Sequence, residues 1–203
     1  MLEVFKEEVI MLSFDCKEKQ ITVETQRLLI RSYQDRDFEN CVLLYGDPKL
    51  TKYFDYGRPR SRREVLDLVE EKGKGPLTRN EPFGLFSMFD KASDSFIGQM
   101  DFMPAEGPGI VEIGCILFRQ YHNQGFPSEA LSFFIKEYVK KINDLGFSSN
   151  GAPIQKVTAT AHPKNYSSQR LIKSLGMIFE RQEDRFNSSR FRYYIDCRPE
   201  TED

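Results

Sequence analysis

Apolar and polar positions along the chain follow two periods, and the switches between them mark the elements. "ITVETQRLLIRSY", from Ile21, is rich in β-branched and aliphatic residues and reads as a strand. In "DRDFENCVLLYGDP", Phe38, Cys41, Val42 and Tyr45 recur at helical spacing, and Gly46 and Pro48 close the run. "SRREVLDLVEEKGKG" opens with Ser61 and Glu64 in capping-box spacing, carries Val65, Leu66 and Val69 on one face, and meets stop signals at Gly73 and Gly75. Two β runs, "PFGLFSMFD" and "SFIGQMDFMP", are joined by the hairpin-like "KASD", and "IVEIGCILF" follows "AEGPG".

The next helix sets Ala130, Leu131, Phe134, Ile135, Tyr138 and Val139 against Lys136, Glu137, Lys140 and Lys141 on the opposite side. Beyond the loop "NDLGFSSNGAP" come a strand, "IQKVTATAH", and a short helix, "NYSSQRLIKSLG", with Gly176 at its C′ position. Two closing strands, "MIFERQEDRF" and "RFRYYIDC", flank "NSS". The order β, α, α, β, β, β, α, β, α, β, β predicts one α/β domain over 21–203, a mixed sheet of about seven strands with about four helices. Residues 1–20 carry mixed charge and no such pattern. They read as an N-terminal extension, in which Met11 offers a second start site.

A chain of 203 residues with 39% apolar content, including 17 Phe and 9 Tyr, can bury a core without metal or disulfides. The net charge of −2 excludes nucleic-acid binding by bulk electrostatics. Cys16, Cys41, Cys115 and Cys197 are far apart, form no CxxC pair and have only His122 and His162 as companions. No zinc site of ordinary spacing is visible, and reduced thiols in a cytoplasmic protein are the economical reading. The acid-interrupted N-terminus is too short in its apolar runs for a signal peptide or a spanning helix. There is no GxGxxG and no Walker lysine, which argues against a nucleotide-binding domain.

Three segments, "ETQRLLIRSYQDRDFENCVLLYGDPKLTKYF", "EIGCILFRQYHNQGFPSEAL" and "AHPKNYSSQRLIKSLGMIFE", resemble the GNAT superfamily of N-acetyltransferases. The nearest branch includes the ribosomal-protein N-terminal acetyltransferases. The resemblance runs from about Ile21 to Cys197 in the expected order, with its fold, a mostly antiparallel twisted sheet, and with acetyl-CoA as cosubstrate.

In that family a turn of pattern Gln/Arg-x-x-Gly-x-Gly/Ala holds the coenzyme A pyrophosphate on free N–H groups at a helix start, where the dipole also favours an anion. The matching positions are His122, Asn123, Gln124, Gly125, Phe126 and Pro127, followed by Ser128. Gly125 fits; His122 and Pro127 depart from the pattern, and the turn alone reads equally as a glycine before a proline-initiated helix. Ser128-Glu129-Ala130 resembles the family's Thr-Glu-Ala continuation.

The resemblance further implies that backbone groups of Cys115, Ile116 and Leu117 pair with the pantetheine arm like an added strand. Asn165 has two expected roles, an N-cap and a contact to that arm, and Ser168 is the candidate proton donor to the departing sulfur. Glu112 is the candidate general base. An α-amino acceptor, with a pKa of roughly 7.7–8.0, needs less help than a lysine at about 10.4, which suits a chain without an evident His base. Cys115 has no base beside it and reads as a small core residue rather than an acyl relay. The expected activity is acetyl transfer to a protein N-terminus or small amine, by a monomer or homodimer. The rival expectation is a non-catalytic acyl-CoA-binding regulatory domain of the same fold.

Overall fold

A computed structural model describes residues 11–15 and 20–197. Residues 1–10 and 16–19 of the expected extension lie outside the described residues. Strands β1 (Met11–Asp15), β2 (Gln20–Glu24), β3 (Leu28–Ser32), β4 (Gly84–Asp90), β5 (Ser95–Pro104), β6 (Ile110–Leu117), β7 (Lys156–Ala161), β8 (Ile178–Arg185) and β9 (Ser188–Asp196) form one sheet. Its order is β1-β2-β3-β4-β5-β6-β7-β9-β8. Every neighbouring pair is antiparallel except β6 and β7. The mixed, mostly antiparallel α/β sheet is therefore as expected.

The count of strands rises above the expected number for two reasons. β1 pairs with β2 along the edge, from Met11↔Glu24 to Asp15↔Gln20. "ITVETQRLLIRSY", read as one strand, is a hairpin of β2 and β3. Its turn has neither Gly nor Pro. Thr25 N–H donates to Leu28 O at 2.9 Å, and Leu28 N–H to Thr25 Oγ1 at 3.1 Å, so a threonine side chain closes the turn.

Helices α1 (Phe38–Gly46), α2 (Pro48–Thr51) and α3 (Arg62–Leu68) cover one face of the sheet. Ser61 and Glu64 make the capping box as expected. Gly73 and Gly75 do not stop the helix, which runs through a π-type segment, Val69–Lys74, into α4 (Gly75–Thr78). Gly73 serves packing instead: a Cβ there would stand 2.9 Å from the Tyr33 ring. On the opposite face lie α5 (Phe126–Phe133), a π-type segment at Phe134–Tyr138, α6 (Val139–Asp144) and α7 (Tyr166–Ser174).

Each face carries its own core. Phe86, Phe102, Phe134 and Tyr138, all at most 1% exposed, form the centre of the larger one, with ring centroids 4.4–6.0 Å apart. Cys41, Leu44, Tyr45, Val65, Val69, Leu85 and Ile116 make the smaller one under α1 and α3. A buried ion pair ties that second layer to the sheet. Arg31 of β3 donates to both Asp37 oxygens at 2.7 and 2.8 Å, and Asp37 Oδ2 also accepts from Gln34 N–H and Ser87 Oγ.

One irregularity dominates the sheet. β6 pairs with β7 only through Ile110↔Lys156, Val111↔Val157 and Glu112↔Thr158. Beyond that point β6 stays with β5 as far as Leu117, while β7 follows β9 to Ala161. The two parallel strands fork.

Candidate active site

The fork leaves part of one edge of β6 without a strand partner. Phe118 N–H donates to Ile97 O at 2.9 Å, and Thr158 Oγ1 to Val111 O at 3.0 Å. Backbone groups alternate sides along a strand, so even-numbered residues of β6 turn theirs to β5 and odd-numbered ones to the fork. Cys115 and Leu117 therefore face the fork, joined by Ile113, which the sequence reading missed. Ile116 turns its backbone to β5 and buries its side chain, 6% exposed, beneath α1. The Leu117 carbonyl accepts from His122 Nε2 at 2.9 Å, which fixes the imidazole tautomer with its proton on Nε2. Burial pushes the Cys115 thiol up to about 12, so it holds negligible thiolate at neutral pH.

At the head of the fork stands the glycine turn. Asn123 (φ +59°) and Gly125 (φ +80°) are both left-handed, and α5 starts at Phe126, one residue before Pro127. The first bond of the helix is Glu129 N–H to Gly125 O at 3.1 Å. Among the described residues, the N–H groups of Gln124, Gly125, Phe126 and Ser128 donate to no protein acceptor. Pro127 has none to offer.

The turn is braced from the β2–β3 hairpin, an arrangement separated by about a hundred positions and without a local signal in sequence. Arg27 Nη1 donates to Gln124 O at 2.8 Å and Nε to Glu129 Oε2 at 2.7 Å, with the guanidinium 4.6 Å from the Phe126 ring centroid. Glu129 Oε1 accepts from Thr25 Oγ1 at 2.6 Å and Arg27 N–H at 2.8 Å. Burial alone would raise the Glu129 carboxyl; these hydrogen bonds outweigh it and hold the carboxyl below its usual range.

On the other side of the fork, α7 starts just past the end of β7. Asn165 is its N-cap: Oδ1 accepts from Ser168 N–H at 3.2 Å. Replacing Asn165 by alanine is expected to cost about 1 kcal/mol of stability through the lost cap, readable by urea denaturation. A loss near zero would mean that the cap is idle in the free protein. The Ser168 hydroxyl makes no hydrogen bond among the described residues and is half-buried at the mouth of the fork.

The face under α1 and α3 gathers charge at the same height. Glu112 Oε2 accepts from Arg185 Nη1 at 2.5 Å. Arg60 pairs with Asp55 at 2.6 Å, and Arg190 donates to the Tyr53 and Asp55 carbonyls. The β8–β9 turn falls at Phe186 and Asn187 rather than at "NSS". Both have positive φ, and the Arg185↔Ser188 pair closes a two-residue loop. The Phe186 ring meets Tyr56 edge-on at 5.3 Å and the Arg185 guanidinium at 4.6 Å, so the hairpin tip leans on the segment after α2. His162 stacks on Tyr53 at 4.9 Å, and burial with Arg190 and Lys164 nearby lowers its pKa.

Asp101, on β5, differs from the other acids of this face. It is half-buried and makes no hydrogen bond or ion pair among the described residues. Burial, reinforced by Glu112 and Asp55 and opposed by Lys72 and Arg185, pushes its carboxyl up to about 6. It lies opposite Gly114, where a Cβ would stand 2.8 Å from Asp101 Oδ1. Gly114 is what lets a carboxyl rest over β6. Gln99, two positions along on the same face, is fully buried, and neither amide atom is hydrogen-bonded among the described residues.

Known proteins carry the same architecture. A solved acetyltransferase of the GNAT family from Bacillus anthracis superposes with a TM-score of 0.70 at 21% identity, covering 87% of this chain and 98% of its own. A coenzyme A complex of RimL, a ribosomal L7/L12 alpha-N-protein acetyltransferase, does so with a TM-score of 0.66 at 16% identity, covering 85% and 95%. The uncharacterised N-acetyltransferase YnaD of Bacillus subtilis (strain 168) is 26% identical over 157 residues, 76% of this chain and 81% of its own. The model of the acetyltransferase (GNAT) domain matches residues 27–178, from the Arg27 brace through the fork and α7 to the start of β8. The chain belongs to the GNAT acetyltransferase family.

Proposed function

We propose that this chain is a cytoplasmic enzyme that transfers the acetyl group of acetyl-CoA to a primary amine by direct attack of the amine on the thioester. The observation that carries the reading is the fork of β6 from β7 with a row of free N–H groups at its head. A pyrophosphate fits the donors of Gln124, Gly125, Phe126 and Ser128, and an extended arm fits the strand edge at Ile113, Cys115 and Leu117. A donor on that edge also suits polarisation of the thioester carbonyl. In this reading Ser168 gives a proton to the leaving sulfur and Glu112, which pairs with Arg185, belongs to the acceptor side.

The acceptor is an α-amino group. Near pH 7.5 roughly a third of an α-amine with pKa about 7.8 is neutral, against about 0.1% of a lysine side chain. A site without a free histidine base favours the first, and the structural neighbour RimL acts on such an amine. Substrate choice falls to the segment after α2 and the Phe186 hairpin, which meet at Tyr56 and Phe186, and to the loop before β6.

Saturating acetyl-CoA, at about 100 times its Kd, is expected to raise the Tm by about 5–10 °C, measured by differential scanning fluorimetry. NAD and ATP should do markedly less, and equal shifts with all three would sink the reading. Release of coenzyme A thiol with a panel of N-terminal peptides, amino acids and polyamines then separates enzyme from binding domain. Binding without release for any amine would leave a non-catalytic acyl-CoA-binding domain.

A further inference from the structure

We propose that Asp101, rather than Glu112, is the catalytic residue that binds the acceptor's ammonium group and takes its proton. This rests on the acetyl-transfer reading above. Two independent observations carry it. Among the described residues Asp101 is left without a partner on this face, whereas Glu112 is bonded to Arg185 and Asp55 to Arg60. Its position is also made for it, because Gly114 opposite lacks the Cβ that would collide with Oδ1. Gly114 lies between Ile113 and Cys115, whose backbone groups face the fork.

A thioester carbonyl bonded to that edge would lie about one strand spacing, roughly 5 Å, from Gly114. The carboxyl above Gly114 then overlooks the carbonyl carbon with room for one amine nitrogen between them.

The chemistry balances with two protons. The ammonium gives one to Asp101 and becomes a neutral amine. The amine lone pair forms the C–N bond, the C–S bond breaks with its electron pair going to sulfur, and the thiolate takes the second proton, lost by the nitrogen. Asp101 returns its proton to solvent. The raised carboxyl is suited to the first transfer. An amine near 8 would be deprotonated by a carboxyl at about 6 with an equilibrium of about 1:100, against about 1:10,000 for an ordinary aspartate. The charges that face Asp101 are Lys72 from the π-type segment, Asp55, Glu112 and Arg185, with Tyr45 of α1 and Cys115 of β6 also near.

The test compares the wild type with Asp101→Asn and Glu112→Gln, using acetyl-CoA and an alanine-terminated peptide. Wild-type kcat/KM should rise through pH 6 before the amine's own ionisation near 8. Asp101→Asn should lose the limb near 6 and lower kcat about 100-fold or more, with the Kd for acetyl-CoA unchanged. Its Tm should exceed that of the wild type above pH 6 and match it below pH 4, because the raised carboxyl destabilises the fold only once it must ionise. That shift also shows that the variant folds. A wild-type-like pH profile in Asp101→Asn, with the limb lost instead in Glu112→Gln, overturns the assignment. No turnover of any amine by the wild type would overturn the functional reading and this assignment with it.

Discussion

Replacing Asp37 by alanine is expected to remove about 3–5 kcal/mol of stability, a large share of the roughly 5–15 kcal/mol margin of a folded domain. The carboxylate accepts four hydrogen bonds, two from Arg31 and one each from Gln34 N–H and Ser87 Oγ. The Arg31 and Asp37 side chains are only 5% and 3% exposed, so neither charge is compensated by water. Without Asp37 the guanidinium keeps its bond to Ser32 O and its place over the Phe89 ring, but no counter-charge. Urea denaturation should show the midpoint falling with the slope unchanged. The double substitution Arg31→Met with Asp37→Leu should cost much less, since removing both charges leaves none orphaned. A loss under about 1 kcal/mol for Asp37→Ala would mean that water reaches the site.

Replacing Gly125 by valine is expected to lower acetyl-CoA affinity by more than 100-fold. A β-branched residue at φ +80° carries about 1–3 kcal/mol of backbone strain, and its Cβ would stand 3.3 Å from Arg27 Nη2. Relief of either problem rotates the N–H groups of Gly125 and Phe126 away from a common point. Each hydrogen bond to a charged oxygen is worth about 1.5–3 kcal/mol, so two lost donors make a factor of 100 or more. Titration calorimetry on a variant shown to be folded by circular dichroism measures it. Affinity within a few-fold of wild type would remove the turn from the binding site.

The sequence was legible wherever a local pattern decides the outcome. The Ser61–Glu64 box, the KASD hairpin, the left-handed Gly176 and the Asn165 cap lie where periodicity and capping chemistry put them. It failed where a distant contact decides. The turn at Thr25 is bought by Glu129, far along the chain, and Gly73 answers the Tyr33 ring rather than a helix end. The candidate site divides the same way. Gly125 and Ser168 belong to local words, whereas the brace on Arg27 and the isolation of Asp101 depend on which strands become neighbours. Asp101 looks like any strand aspartate until Gly114 is placed opposite it and Arg185 is seen to be engaged elsewhere.

Because β6 and β7 share a ladder of three residue pairs, the sheet divides into two plates, β1 to β6 and β7-β9-β8, joined through the backbone at Ile110–Glu112 and braced by the Glu112–Arg185 ion pair. In an unbroken sheet a change of twist is shared among long ladders; here the backbone ladder between the plates is a seam about 10 Å long. A ligand along the edge of β6 that also touches α7 spans both plates on one side. A ligand between Asp101 and the Phe186 hairpin spans them on the other, since Asp101 belongs to the first plate and the hairpin to the second. Each would tie the two plates together across the same seam. Two substrates meeting at the fork would each bridge the two plates, so the one bound first would lower the ordering cost left to the second.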